Sequence, residues 1–300
     1  MNKIAFLGVV ASLVASVIPL YGQQKPVLLD STLEVRLLEG EQIERLSLHD
    51  YLIGVVLEEM PASFETEALK AQAVAARTFT IRRMYAEGKH EDADVCGNPS
   101  CCQCYLDETE RYSVYGDGLR EAEKRVREAV ESTDGQVLTV GEKLIEATYF
   151  SSTAGATESA ASVWGGEVSY LQSVSSPEEP KMSEVSVPFS EFRSAFSGAN
   201  LSGRPEGWIG AVTYTEGGAV DLIRIGGIWY RGTAVRKLFS LKSAKFTVSV
   251  SDNTVIFTVS GSGHGVGMSQ YGADTMAKQG IGYREILLHY YTGAELVQLY

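Results

Sequence analysis

The first candidate for chemistry is a cluster of sulfur and imidazole side chains near residue 100. The four cysteines lie within nine residues, at Cys96, Cys101, Cys102 and Cys104, and His90 lies six positions before the first of them. Thiolates and imidazole are the ligands that zinc prefers, whereas cysteines of an exported protein also form disulfides. The adjacent pair does not easily bridge to itself. The spacing leaves open a zinc site, a disulfide and a set of small buried side chains.

The second candidate is a pair of glutamates, Glu58 and Glu59, which follows an apolar run and precedes Met60 and Pro61. We expect this pair at the junction between a strand and a long helix. A carboxyl group in an apolar pocket stays protonated to a higher pH, because burial disfavours its charged form, and it can then act as a general acid. The alternative is that both glutamates are solvated residues of a first helical turn, where the helix dipole favours them.

The third candidate is a glycine-rich turn at residues 261–267, with His264 at its centre. It lacks the Gly-Lys-Ser/Thr ending of a phosphate loop, so we reject nucleotide binding. Its glycines permit close approach of the backbone to an extended ligand or to another strand. His264 is then either a ligand contact or a hydrogen-bonded structural residue. The small polar residues 151–158 leave the same choice, between a loop that faces a ligand and a solvated one.

The hydrophobic pattern predicts the elements that must position these side chains. The clearest helix covers residues 63–87, where alanine and other strong helix formers dominate. Lys70 and Arg77 lie two turns apart on one face of it. Further helices are predicted over residues 120–132, 233–238, 268–279 and 283–291. Strands are predicted over residues 26–30, 33–37, 43–48, 136–140, 143–145, 147–150, 210–214, 220–225 and 245–259.

The composition bounds the fold and the partners. The chain has 300 residues, 44% hydrophobic and 21% charged, which rules out a disordered, collagen-like or polytopic membrane protein. Its 26 basic and 38 acidic side chains give a net charge of −12, so we expect no nucleic acid partner. A run rich in Pro, Ser and acidic residues over 175–204 is the best lobe boundary. The predicted fold class is α+β, with lobes 23–175 and 176–300 on either side of a groove.

The N-terminus predicts export. Residues 4–21 are apolar apart from two serines and follow Lys3, and as a helix they approach the ~30 Å thickness of the hydrocarbon core of a membrane. Residues 20–22 fit the small-residue pattern of a signal cleavage site poorly. We therefore expect residues 1–22 to be a retained membrane-anchor helix, with a cleaved signal and a buried helix as alternatives. The rest of this single-pass protein is then expected outside the cytoplasm.

Six motifs, in order along the chain, resemble the sporulation stage II protein D family. They are GVVLEEMP (54–61), EALKAQAVAART (67–78), CQCY (102–105), YFSST (149–153), VWGG with YL (163–166 and 170–171) and GHGVGMSQYGA (263–273). The resemblance runs from about Val27 to the C-terminus, so it covers nearly the whole chain after the apolar segment. Six ordered motifs are far more specific than any one of them.

The resemblance implies a membrane-anchored peptidoglycan lytic transglycosylase that acts during engulfment in spore-forming bacteria. Such enzymes cut the linkage between N-acetylmuramic acid and N-acetylglucosamine and leave a 1,6-anhydro sugar end. Their substrate is the denuded glycan strand, from which an amidase has removed the stem peptides. The implied partners are these strands, the amidase stage II protein P and the membrane protein stage II protein M. The implied location is the intermembrane space of the sporulating cell.

The resemblance also assigns roles to residues. The family's catalytic glutamate falls on Glu59, which would act first as general acid and then as base. The ligands of its zinc-binding members fall on His90, Cys96 and Cys102, so zinc is expected in a structural or positioning role. Lys70 and Arg77 would form a cationic site for the lactyl carboxylate of muramic acid. The implied substrate-binding residues are Lys70, Arg77, Tyr149, Ser151, Ser152, Thr157, His264, Gln270 and Tyr271.

Two other function classes remain open on the sequence. One is a non-catalytic wall-binding protein that stimulates a separate amidase, as enhancer proteins with this domain are thought to do. The other is a zinc or thiol-redox protein centred on residues 96–104. Cys101 and Cys104 depart from the family pattern, which leaves open whether they add a fourth ligand, bridge each other or stay free.

Overall fold

The computed structural model describes residues 29–86 and 88–300 as a mixed α+β protein, which confirms the predicted class. Its helices are α1 (Leu48–Glu59), α2 (Thr66–Tyr85), α3 (Glu108–Tyr115), α4 (Leu119–Glu131), α5 (Ala160–Trp164), α6 (Phe189–Ala195), α7 (Gly232–Leu238), α8 (Gln270–Lys278) and α9 (Tyr283–Tyr290). The predicted anchor, residues 1–22, lies outside the described residues. In the ranges that are described, no helix is long and apolar enough to span a membrane.

The strands are short and form several small sheets. They are β1 (Glu34–Glu39), β2 (Gln42–Ser47), β3 (Val95–Cys96), β4 (Gln136–Val140), β5 (Lys143–Leu144), β6 (Tyr149–Phe150), β7 (Gly155–Ala156), β8 (Ser175–Ser176), β9 (Met182–Pro188), β10 (Ile209–Tyr214), β11 (Val220–Ile225), β12 (Ile228–Arg231), β13 (Phe246–Ser251), β14 (Thr254–Ser260), β15 (Met268–Ser269) and β16 (Glu295–Gln298). The strand predicted over residues 26–30 falls mostly outside the described range, and Asp30–Thr32 is a 3₁₀ turn.

Helix α1 corrects the prediction of a strand before the glutamate pair. The side chain of Ser47 caps the helix by accepting a hydrogen bond from the backbone N–H of Asp50. The helix ends at Glu59, because Met60 is extended and Pro61 follows. Residues 51–57 are all buried, and this burial stabilises a helix despite its three β-branched side chains. The two glutamates therefore lie at a helix C-terminus and not at the start of one.

The first hydrophobic core surrounds α2. The long helix predicted over residues 63–87 is confirmed as α2, and its alanines allow α1, α4, α8 and α9 to pack closely around it. The antiparallel hairpin of β4 and β5 is also confirmed. Strand β16 pairs antiparallel with β4, and β15 pairs parallel with β6. The C-terminal segment thus belongs to the first core.

A second core is built from aromatic side chains of the middle of the chain. Phe192 stacks on Trp208 and on Phe239, with ring centroids 6.0 and 5.9 Å apart. Two three-stranded sheets, β9–β14–β13 and β10–β11–β12, enclose this core together with α6 and α7. Its buried residues run from Val187 to Val259.

This division differs from the predicted lobe of residues 176–300. The second unit begins with β9 at Met182. The chain returns to the first core after residue 260, because α8 and α9 bury apolar side chains such as Ala273 and Ile286 against it. The second core is therefore an insertion in the first, and its first and last strands lie side by side, with Met182 paired to Ser260.

Arg77 has a structural role that corrects the predicted cationic site. Its side chain has no exposed surface, and its Nη2 and Nε atoms lie 2.6 and 2.8 Å from the buried carboxylate of Asp30. The guanidinium also donates to the carbonyls of Val130 and Gln136. Lys70 instead pairs with Glu67 at 2.7 Å. Because Arg77 has its full set of protein partners, the two side chains do not form a joint site for an anion.

The substitution Arg77→Ala is expected to lower the free energy of unfolding by about 3–5 kcal/mol, because it leaves the carboxylate of Asp30 buried without a counter-charge. Lys70→Ala is the matched control on the same helix, and loss of its partly exposed ion pair costs about 1 kcal/mol or less. Urea titrations followed by circular dichroism measure both. An Arg77→Ala protein as stable as the parent would contradict the structural role.

Candidate active site

The carboxyl group of Glu59 lies between two hydrogen-bond donors. Its Oε1 accepts from the backbone N–H of Cys104 at 3.0 Å, and its Oε2 accepts from the Nε2 of Gln270 at 3.1 Å. Glu59 is partly buried, whereas its neighbour Glu58 is exposed. The structure therefore brings together two of the predicted site residues, Glu59 and Gln270, and adds Cys104.

The segment that carries Cys104 reaches Glu59 because a glycine allows it to lie directly on α1. A Cβ atom on Gly54 would stand 2.3 Å from the ring of Tyr105 and 2.8 Å from the carbonyl of Leu106. The Tyr105 ring stacks on Tyr51 of α1, with centroids 5.5 Å apart. This close packing fixes the backbone of residues 104–106 at the end of α1.

Gln270 is positioned by a strand pair and a helix cap. Strand β15 runs parallel to β6, and Ser269 then caps α8 by accepting from the backbone N–H of Gly272. Gly267 precedes this pair with φ +81°, and a Cβ there would lie 2.1 Å from the carbonyl of Thr148. Only glycine fits at that position, so the glycine-rich turn has a structural explanation. Gln270 is the first residue of α8 and is almost fully buried.

A second hydrogen-bond network supports the site next to Glu59. The hydroxyl of Tyr149 donates to Oε1 of Gln103 at 2.7 Å. The Nε2 of Gln103 donates to the hydroxyls of Thr80 and Tyr51 at 3.0 and 3.3 Å. Gln103 has both ends of its amide engaged and is buried, so this network orients Tyr149 rigidly. Gln103 was not among the predicted site residues, although it lies in the CQCY motif.

Burial raises the pKa of Glu59, and the negative charge of Glu58 adds to the shift. The hydrogen bonds from Cys104 and Gln270 oppose it by stabilising the carboxylate. The position at the C-terminus of α1 also disfavours a negative charge, because helix carbonyls converge there. Burial raises the pKa of the Cys104 thiol to about 12 and that of Tyr149 well above its usual value. Glu59 therefore holds its proton to a higher pH than an exposed glutamate, next to a thiol and a phenol that stay neutral.

His264 lies behind Tyr149 instead of beside Glu59. Its Nδ1 accepts from the backbone N–H of Val266 at 3.1 Å, and its ring also hydrogen-bonds the backbone of Tyr149. Burial lowers its pKa to about 4, so the ring is neutral. The aromatic rings of Phe150 and Trp164 lie 5.7 and 5.4 Å away. The sequence left open whether His264 is a ligand contact or a hydrogen-bonded structural residue. Its polar contacts are those of a hydrogen-bonded structural residue.

The other predicted substrate-binding residues fall into two groups. Ser151 and Tyr271 are partly exposed and joined by a backbone hydrogen bond of 3.0 Å. The Tyr271 ring lies between Phe64 and the ammonium of Lys181, which is 3.4 Å from the ring centroid. Ser152 and Thr157 are buried. The hydroxyl of Thr157 accepts from the backbone N–H of Val174.

Thr157 therefore shapes its own loop, and the prediction that it contacts a ligand is not supported, because the side chain has no exposed surface.

Lys181 is a cation beside this cleft that was not among the predicted site residues. No motif marks Lys181, because it contacts Tyr271, which is distant in the chain, only in the folded protein.

Four side chains form a cluster that could hold a metal ion. The donor atoms of His90, Cys96, Cys101 and Cys102 all lie within 4.8 Å of one another. The Nε2 of His90 is 3.7 Å from Sγ of Cys101 and 3.6 Å from Sγ of Cys102, and these two sulfurs are 3.8 Å apart. The cysteines are free thiols, so no disulfide is present among residues 96–104. Cys104 is not in the cluster.

Comparisons with known proteins identify the family. A family model described as Stage II sporulation protein matches residues 39–140. The chain is 37% identical over 266 residues to stage II sporulation protein D of Bacillus amyloliquefaciens, covering 86% of this chain and 76% of that protein. It is 36% identical over 263 residues to the protein of the same name from Bacillus subtilis (strain 168), with the same coverage.

A third relative is described by a different function. The amidase enhancer of Bacillus subtilis (strain 168) is 30% identical over 302 residues, and the match covers 82% of this chain but 40% of that protein. With these identities over most of its length, the chain belongs to the stage II sporulation protein D family.

Proposed function

We propose that this protein is a peptidoglycan lytic transglycosylase that cleaves denuded glycan strands during sporulation. The observation that carries the proposal is the carboxyl of Glu59, partly buried and held by Cys104 and Gln270. Such a group can hold a proton above the usual pKa of a glutamate and also bear a negative charge between two N–H donors. One residue can then act as acid and as base.

In the proposed reaction, protonated Glu59 donates its proton to the glycosidic oxygen while the bond from that oxygen to C1 of N-acetylmuramic acid breaks. Positive charge develops on the sugar ring, and the new carboxylate of Glu59 stabilises it. Glu59 then accepts the proton of the C6 hydroxyl as that oxygen attacks C1 and closes the 1,6-anhydro ring. The proton returns to Glu59, and no water is consumed.

The neighbours of Glu59 would set its orientation and its proton affinity. Gln270 and Cys104 fix both carboxylate oxygens, so the acid does not need to reorganise between its two roles. Tyr149 is neutral and held by Gln103, and it would form a wall of the cleft next to the acid. Glu58 is a second carboxylate close to Glu59. It is exposed and makes no side-chain hydrogen bond among the described residues.

The cluster of His90, Cys96, Cys101 and Cys102 fits zinc. Tetrahedral zinc, with Zn–S near 2.3 Å and Zn–N near 2.0–2.1 Å, sets sulfurs about 3.8 Å apart and sulfur and nitrogen about 3.6 Å apart. The three separations among His90, Cys101 and Cys102 match these values to within about 0.1 Å, and the sulfur of Cys96 lies within 4.8 Å of each of them. We propose that Cys101 is the fourth ligand, which would close the site to substrate.

Bound zinc would supply structural cross-linking and no proton chemistry. Cys101 and Cys102 are followed directly by Gln103, which orients Tyr149, and by Cys104, which donates to Glu59. Anchoring residues 101 and 102 therefore restrains both contacts. This connection supports a positioning role for the metal site and disfavours a thiol-redox role for these cysteines.

The cellular setting is part of the proposal. Residues 1–22 would anchor the protein in the membrane with the rest of the chain in the intermembrane space. The proposed partners are the denuded strands, the amidase stage II protein P, which would supply them, and the membrane protein stage II protein M.

The relation to an amidase enhancer supports a second candidate, a non-catalytic role in stimulating an amidase. The two candidates differ in whether the protein itself releases anhydro sugar.

The first test of the function is Glu59→Gln. This variant keeps the shape of the side chain but cannot transfer a proton, so release of anhydro-muramyl ends from denuded strands should fall by at least about 10³-fold. Glu58→Gln is the matched control and should stay within about twofold of the parent. Mass spectrometry of the products measures both. An enhancer would give no anhydro ends with the parent protein, and equal activity of Glu59→Gln would refute the assignment.

The pH dependence of the activity tests how burial and hydrogen bonds together set the pKa of Glu59. The reaction needs the protonated acid, so activity should fall as the pH rises through the raised pKa of Glu59. Gln270→Leu removes a donor that stabilises the carboxylate, so the pKa should rise further and the alkaline limb should move up by roughly 0.5–1 pH unit. Gln279→Leu, at the exposed end of α8, should leave the limb unchanged. A shift to lower pH in Gln270→Leu contradicts this account.

The ligand set is tested by metal binding. The parent should retain one zinc per chain, and Cys101→Ser should bind it at least about tenfold more weakly, whereas the neighbouring control Cys104→Ser should bind normally. Cobalt substitution gives a second readout, because the thiolate-to-cobalt absorption should drop by about one third in Cys101→Ser. Normal affinity and absorption in Cys101→Ser, with losses in Cys104→Ser, would show that the fourth ligand is assigned to the wrong cysteine.

A further inference from the structure

A cavity separate from the Glu59 cleft lies where the second core meets the first. Ser152, Glu158 and His264 line it from the first unit, and Arg236 and Lys245 line it from the second. Neither Glu59 nor the side chains that hold it contribute to its wall. The enclosed space admits a substituent of a few heavy atoms and not a whole sugar ring.

Two polar atoms of this wall are buried without a partner. They are Oε2 of Glu158 and Oγ of Ser152, and both side chains are about 98% buried. The other carboxyl oxygen of Glu158 accepts from the backbone N–H of Ala219 at 3.1 Å. A buried polar atom without a hydrogen bond destabilises the fold, because it has lost its water and gained no partner. The cavity is therefore lined by groups that a ligand with hydroxyl or amide hydrogens would satisfy.

The cavity also contains a cation without a counter-charge. The guanidinium of Arg236 is partly buried, and the hydrogen bond that its Nε makes is to the carbonyl of Leu241, at 3.2 Å. Among residues 29–86 and 88–300 no carboxylate pairs with it. The other two cations of the wall are engaged, since Arg231 lies 3.8 Å from Asp221 and Lys245 donates to backbone carbonyls. Arg236 is thus the group that can receive an anion.

An exposed indole lies at the rim of the same cavity. Trp164 is 51% exposed, and its ring lies 5.4 Å from that of His264, which lines the cavity. Ser162 and Val163, the two residues before it, line the cavity as well. A large apolar ring left in solvent beside a polar cavity is typical of a binding surface. Its flat face is suited to pack on the apolar face of a sugar ring.

We propose that Trp164 and Arg236 form a second glycan-binding site that recognises an N-acetylmuramyl unit whose lactyl carboxylate is free. The sugar ring stacks on Trp164, and the carboxylate enters the cavity and pairs with Arg236. A hydroxyl or amide hydrogen of the same unit meets Oε2 of Glu158. The ligand class rests on the proposed function, since only a denuded strand offers this carboxylate.

The backbone links this site to the acid. The hydroxyl of Tyr149 donates to Gln103 beside the Glu59 site, and the next residue, Phe150, contacts the ring of His264, which lines the cavity. The unit recognised by Trp164 and Arg236 is not the one that is cleaved, because Glu59 and the residues that hold it do not line the cavity. This arrangement selects denuded strands without placing a cation next to Glu59, where it would lower the pKa of the acid.

The test is a binding titration of the full chain in detergent, with Glu59→Gln present throughout so that no ligand is cut. Two soluble probes are used: a denuded glycan oligosaccharide with free lactyl carboxylates, and a neutral chito-oligosaccharide of equal length. Arg236→Gln should weaken binding of the first by about 10–100-fold, the loss of a charge-assisted contact, and leave the second within twofold. Trp164→Ala should weaken both by about tenfold.

Matched controls lie elsewhere in the second unit. Arg224→Gln removes a guanidinium that also donates to a backbone carbonyl, that of Gly227, and Trp229→Ala removes an indole that is 46% exposed. Both should bind the two probes like the parent. Arg236→Lys keeps the charge and should retain most of the affinity, and equal unfolding midpoints exclude a folding defect.

Unchanged binding of the carboxylate probe by Arg236→Gln overturns the proposal, as does an equal loss for both probes. The result is independent of catalysis. If the parent released no anhydro ends but bound the carboxylate probe through Arg236, the proposed reaction would fail and this site would stand. If it released anhydro ends with Arg236→Gln unchanged in binding, the reaction would stand and this site would fail.

Discussion

The structure depends on one constraint, that the carboxyl of Glu59 is withdrawn from water and still has a hydrogen-bond donor for each oxygen. Burial alone would fix the proton on the group, and donors alone would fix the charge. The two donors come from residues 45 and 211 positions away in the chain. Burial favours the protonated form of Glu59, whereas the two hydrogen bonds favour its carboxylate. Because the two effects oppose each other, this single glutamate has access to both protonation states. These distant segments must therefore meet at the end of α1.

They meet because the first core is closed by the C-terminal segment. Strand β15 pairs with β6, and α8 then begins at Gln270 against the end of α1. The second core lies in the chain between these partners, yet its entering and leaving strands are neighbours, with Met182 opposite Ser260. An insertion whose ends are adjacent leaves the geometry of its host unchanged. The site around Glu59 is therefore formed by residues of the first core, and the second core adds its own side chains to the wall of the separate cavity.

The sequence predicted what local patterns determine. Helix α2, the β4–β5 hairpin and most of the elements after residue 200 lie close to the predicted ranges, because periodicity and turn residues specify them. Helix α1 was misread, since Ile53, Val55 and Val56 favour strands and only their burial against α2 makes them helical. The role of Arg77 could not be predicted, because its partner Asp30 is 47 positions away. Gln103 escaped for the same reason: its contacts with Thr80 and Tyr149 exist only in the folded chain.

Electrostatics sets a further condition on recognition. The protein carries a net charge of −12, and a denuded glycan is an anion as well, so their long-range interaction is repulsive. At physiological ionic strength this repulsion is screened beyond about 8 Å, and contacts within the cleft decide binding. The cations of α2 are consumed by structural pairs, as Arg77 and Lys70 illustrate. Recognition of the proposed anionic strand therefore falls to cations without a carboxylate partner, such as Arg236 of the second core, whose guanidinium donates to the carbonyl of Leu241. In the proposed site the second core supplies a cation at a cavity that Glu59 does not line, so this contact leaves the proton affinity of Glu59 undisturbed.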